Sequence, residues 1–101
     1  METNIQINGS EAVIALVGRL DTPSAPQVET EVQKVTSSDA KSVLVDCSQL
    51  TYISSSGLRI LISLHKHYLK SGGALTIKAL SPEIKDVFDM TGFTNIFTIV
   101  E

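Results

Sequence analysis

Asp46-Cys47-Ser48-Gln49-Leu50-Thr51-Tyr52-Ile53-Ser54-Ser55-Ser56-Gly57-Leu58-Arg59-Ile60-Leu61 is the stretch on which the fold turns. Just upstream, Val43-Leu44-Val45 is a short unbroken apolar run, the pattern of a strand covered by its neighbours. Thr51-Tyr52-Ile53 extends that segment. Downstream, Leu58, Leu61, Ile62, Leu64, Tyr68 and Leu69 recur at helical spacing until Ser71-Gly72-Gly73 stops them. A buried strand therefore runs through a polar Ser-Ser-Ser-Gly turn into a buried helix.

Working outward, Asn4–Asn8 and Glu11–Val17 are β-rich segments around Gly9-Ser10 and predict a hairpin. Gly18-Arg19-Leu20-Asp21 closes its second strand. Asp21 or Thr22 can cap a helix with Pro23 in its first turn, and Ala25, Val28, Val32 and Val35 give that helix one buried stripe. Ala74–Leu80 predicts a further strand. Ser81-Pro82-Glu83 is a serine cap, a proline and an acid in the order that starts a helix, which runs to about Met90 and ends near Gly92. Asn95–Val100 supplies a last strand. The predicted order is β-β-α-β-α-β-α-β. Right-handed crossovers then make an α/β fold of about five strands, mostly parallel, with an antiparallel edge strand.

The 101 residues suit a single domain over the whole chain. The longest unbroken apolar run, Ala12 to Val17, is too short for a membrane span or a signal peptide. A net charge of −3 supplies no cationic field for nucleic acid. One cysteine excludes an internal disulfide and a multi-cysteine zinc site. A cytoplasmic protein is expected, with no membrane partner and no cofactor. A monomer is expected as well, since no large apolar patch is evident.

Chemistry is expected at two polar corners. The first amides of the helix after Ser54-Ser55-Ser56 lack intrahelical partners, and the helix dipole adds partial positive charge there. Those serines can simply cap the helix, or they can place a hydroxyl where a phosphate is tolerated. Gly57 offers close approach to a partner's backbone. The second corner is Gly18-Arg19-Leu20-Asp21. Loops after parallel strands gather on one edge, so the two corners can form one surface, although Asp21 can equally serve only as a cap. His65 and His67 lie two apart on a helix and cannot form a close metal pair. Cys47 reads as a buried inert thiol. No nucleophile elbow, Walker loop or Gly-x-Gly-x-x-Gly is present, which argues against an enzyme.

Gly18-x-Leu20-Asp21, then Asp46 through Tyr52-Ile53-Ser54-Ser55-Ser56-Gly57-Leu58, then Ser81-Pro82, then Phe88-Asp89-Met90-Thr91-Gly92-Phe93 together resemble the bacterial anti-sigma-factor antagonists, the stand-alone STAS domains. Each motif is weak alone, but the four in order cover nearly the whole chain. The resemblance implies a partner-switching module without enzymatic activity. Such proteins bind a serine-kinase anti-sigma factor and so free a sigma factor. Phosphorylation of one serine by that kinase ends binding, and a PP2C-type phosphatase restores it. Aligned on Gly57, the family's phosphorylated serine falls on Ser55, with Ser56 and Ser54 as alternatives. Asp21, Ser54, Ser56, Gly57 and Arg59 fall on the partner-binding surface. Ser54 replaces the aspartate common in the family, and Arg59 a small residue. A cation at position 59 can meet a phosphate or a partner carboxylate, or remain solvated. A competing expectation is a STAS scaffold within a lipid-transport or stressosome-like assembly, with no serine switch. An enzyme or small-ligand binder using the serine loop as an anion site is the third.

Overall fold

The computed structural model describes Met1 to Glu101. The elements are β1 (Glu2–Asn8), β2 (Glu11–Leu20), α1 (Ala25–Thr36), β3 (Ser42–Ile53), α2 (Ser55–Ser71), β4 (Ala74–Lys78), α3 (Pro82–Thr91), a 3-10 turn (Phe93–Asn95) and β5 (Thr98–Val100). The five strands form one sheet in sequential order, β1-β2-β3-β4-β5. β1 pairs antiparallel with β2, and all later pairs are parallel. This is the mixed sheet expected from the sequence.

The sequential order fixes where the core lies. Consecutive right-handed crossovers that step in one direction place every helix on the same side of the sheet. Ala12, Ile14 and Leu16 of β2, Val43, Val45 and Cys47 of β3, and Leu75 and Ile77 of β4 alternate onto that side and are buried. They meet the stripe Ala25, Val28, Val32 and Val35 of α1, Leu58, Leu61, Leu64 and Tyr68 of α2, and Ile84 and Phe88 of α3. The buried Tyr68 hydroxyl donates to the Val35 carbonyl at 3.3 Å, tying α2 to α1.

Several boundaries differ from expectation, each for a local reason. Asp21 and Ser24 bond reciprocally: the Ser24 N–H donates to Asp21 Oδ1 at 3.1 Å, and the Asp21 N–H donates to Ser24 Oγ at 3.0 Å. That box holds residues 22–24 in a turn, so α1 begins at Ala25 rather than around Pro23. β4 stops at Lys78, two residues early, because Ala79 adopts φ 63° and turns the chain away. β5 is only Thr98–Val100, because Phe93–Asn95 forms the 3-10 turn and Phe93 packs edge-on against Phe88 and Phe97. β2 runs on through Gly18 to Leu20, and β3 continues through Thr51-Tyr52-Ile53 as expected. Irregular register between Ala15 and Val17, and again between Gly18 and Arg19, accommodates this. No helix is long and apolar enough to cross a membrane.

Candidate functional site at the ends of the second and third strands

β2 and β3 finish side by side, with Leu20 paired to Ile53. The Ser54 N–H donates to the Leu20 carbonyl at 2.8 Å, so the loop after β3 is tied to the end of β2. Thr51 Oγ1 adds a bond to the Gly18 carbonyl at 3.0 Å. The two polar corners therefore form one surface.

The serines there have distinct surroundings. Ser54 is the N-cap of α2, in extended backbone, and its Oγ accepts the Gly57 N–H at 3.3 Å. Ser56 is half-buried, and its Oγ donates to Thr22 Oγ1 at 3.5 Å across the gap between the loops. Ser55 is exposed, and its hydroxyl has no hydrogen-bond partner within the chain. The Ser55 and Ser56 backbone N–H groups find no carbonyl either, as the start of an α-helix dictates.

Gly57 serves the interior of the molecule. It is buried, and a Cβ at this position would stand 2.6 Å from Leu20 Cγ and 2.8 Å from Ile53 Cγ1. The expectation for Gly57 is close approach to a partner's backbone; packing against Leu20 and Ile53 is a separate, internal reason for glycine here. The missing side chain lets the first turn of α2 sit on the ends of β2 and β3.

On the other loop, hydrogen bonding with Ser24 holds the Asp21 carboxyl below its usual range, and Arg19 adds to this with Nε 4.0 Å from Oδ2. The Arg19 guanidinium also lies 4.3 Å above the centre of the exposed Tyr52 ring. The stack has no signature in the sequence, because it depends on Arg19 and Tyr52 being neighbours in the sheet.

Arg59, one helical turn after Ser55, is exposed and forms no salt bridge. It lines a groove of about 410 Å³ between α1 and α2 with Thr22, Glu29, Ser56 and Ser63. Glu29 and Ser63 carried no sequence signal, because the groove exists only where the two helices meet.

The remaining candidates lie elsewhere. Cys47 is buried, and burial, aided by the neighbouring Asp46, pushes its thiol up to about 12. His65 packs edge-on against Phe97 and His67 against Tyr68.

The family profile described as "STAS domain" matches residues 2–101. A Bordetella bronchiseptica protein assigned to the anti-sigma factor antagonists, BtrV, is 31% identical over 87 residues, covering 86% of this chain and 75% of that protein. The anti-sigma-B factor antagonist of Bacillus subtilis is 26% identical over 101 residues, covering 98% of this chain and 92% of that protein. Among solved structures, SpoIIAA, an anti-sigma factor antagonist, superimposes in its unphosphorylated form with a TM-score of 0.77 at 16% identity, covering 99% of this chain and 87% of that one. The phosphorylated Bacillus form also gives 0.77, at 17% identity, with 99% and 92% covered. At such identity the superpositions establish the fold alone.

Proposed function

The chain belongs to the STAS domain family, and from that premise we propose that it is a phosphorylation-gated anti-sigma-factor antagonist whose switch is Ser55. Unphosphorylated, it binds a serine-kinase anti-sigma factor through the corner formed by Asp21, Ser54, Ser56 and Arg59. A sigma factor is thereby freed. Phosphorylation of Ser55 by that kinase ends the complex, and a PP2C-type phosphatase resets it.

One observation carries the choice of serine: of the three hydroxyls in the run, Ser55 alone is exposed and unengaged. A kinase can reach it without breaking the α2 cap or the Ser56–Thr22 bond. The phosphate, carrying about −1.5 to −2 charges, would sit at the positive end of a 17-residue helix with unpartnered amides beside it. Internally that charge is tolerated. Within an interface the same charge must be desolvated, and against acidic or apolar partner groups it costs several kcal/mol, roughly a hundredfold or more in affinity. Arg59 stands free on the same helix face to meet a carboxylate of the partner.

The test pairs phosphosite mapping on protein from its native cells with binding of the purified kinase. A single phosphate on Ser55 is expected. Ser55→Asp should weaken binding strongly, while Ser55→Ala should bind and never be released by ATP. Equal affinity in both variants would sink the assignment of Ser55. Absence of phosphate under every growth condition would favour a STAS scaffold without a switch.

A further inference from the structure

The two edges of the sheet are protected very differently. β5 closes one side with only three residues, too short to template another strand. β1 closes the other with seven residues, Glu2–Asn8, paired to β2 without a bulge from Glu2↔Val17 to Asn8↔Glu11. Its outer side presents backbone N–H and C=O groups that no other strand meets. β1 contains no proline, lysine or arginine, the residues that commonly blunt such an edge. It also leaves Ile7 41% exposed beside the partly buried Ile5.

We propose that β1 is a self-association edge, pairing antiparallel with β1 of a second copy about a two-fold axis at Ile5. The residue order argues for a second copy over any other strand, because it is self-complementary about that point. All seven residues find partners only in this register. Thr3 stands opposite Ile7 and Ile5 opposite Ile5 on the helix-covered face, which shields the exposed Ile7. Asn4 stands opposite Gln6 and Glu2 opposite Asn8 on the bare face, so amides meet amides and the one charged side chain meets none of its own sign. The two Glu2 residues lie at opposite ends of the ladder, roughly 20 Å apart at strand spacing and beyond ordinary screening length. The result is a continuous ten-stranded sheet with two-fold symmetry. The axis is perpendicular to the sheet and reverses the strand direction of the second copy. The two serine corners then face opposite ends of the dimer, and both remain open. This inference is independent of the Ser55 reading. It replaces the expectation of a monomer, which weighed apolar patches and not backbone edges.

The test is sedimentation equilibrium of the whole chain over a concentration series reaching the millimolar range. A reversible monomer–dimer equilibrium is expected, unchanged by Ser55→Asp. Asn4→Lys/Gln6→Lys places like charges across the ladder on the bare face, away from the core, and should raise the dimer dissociation constant about tenfold or more. Asn4→Glu/Gln6→Glu should do the same. Mixing the two variants should restore a dimer containing one copy of each. A wild-type chain that stays monomeric throughout would overturn the proposal, whether the edge then stays bare or accepts a strand of another protein. Unweakened dimers in both charged variants would overturn it too, by placing the contact elsewhere.

Discussion

A methyl group at position 57 would lie 2.6–2.9 Å from carbons of Leu20 and Ile53, so Gly57→Ala must push the start of α2 off the strand ends. Overpacking of this kind costs about 1–3 kcal/mol, against which the better helix propensity of alanine returns at most about 1. A lower urea midpoint at unchanged slope is the expected result. Were Gly57 kept free for a partner's backbone, alanine would leave the midpoint alone and weaken only binding. Cys47 gives a second residue-level test. Its thiol is raised from 9.0 to about 12 in the folded chain, so the unfolded chain loses its proton first as pH rises. Stability from this group is complete below pH 9 and declines as pH climbs from there toward 12. Thiol-specific labelling of the native protein at pH 8 should therefore proceed only at the rate of unfolding, and rapid labelling would refute the burial.

The helix ends carry the next predictions. Ser54 and Ser81 cap α2 and α3 with the same geometry, each Oγ accepting an amide at 3.3 Å. Ser54→Ala and Ser81→Ala should each cost about 1 kcal/mol in chemical denaturation. On the proposed function, only Ser54→Ala should also alter affinity for the kinase proposed as partner, so Ser81→Ala separates loss of a cap from loss of a contact. The entry to α1 behaves differently, because its box contains a carboxylate. Hydrogen bonding with Ser24 lowers the Asp21 carboxyl from 3.8, so its contribution is present above that value and is lost as pH falls through the lower, folded value. Asp21→Asn should flatten the drop in Tm on acidification below about pH 4. These ends also show what a sequence discloses. Ser81-Pro82 announces α3, and Gly72 and Gly92 end α2 and α3 in the left-handed conformation with φ 79°, as a glycine after a periodic run suggests. The start of α1 was not legible in the same way. Pro23 in a first turn competes there with a reciprocal Asp21–Ser24 bond, and Ser24 carries no mark that separates a bond-former from a spacer.

At the scale of the whole molecule, the sheet order decides what the serine corner can do. The alternation of apolar segments already implied parallel neighbours, and parallel neighbours bring the loops after β2 and β3 to one edge. Which hydroxyl stays free was beyond the sequence, since it depends on Thr22 meeting Ser56 across 34 residues of chain. With Ser55 outside the core and the sheet anchored by Ile14, Val45 and Ile77, all 0% exposed, a phosphate on Ser55 has nothing internal to displace. The expected consequence is a phosphoprotein with the same fold. Its amide spectrum should change around Arg19–Ala25 and Ser54–Ser63 and remain unchanged through β4, α3 and β5. Its Tm should stay level or rise slightly at low salt, because a helix N-terminus favours negative charge by about 0.3–1 kcal/mol, and that gain should fade as salt screens it. Release of the partner would then come from charge placed in the interface and not from a change of shape. Shifts spreading into β4 and β5, or a Tm lowered by phosphorylation, would show instead that the switch works by loosening the sheet.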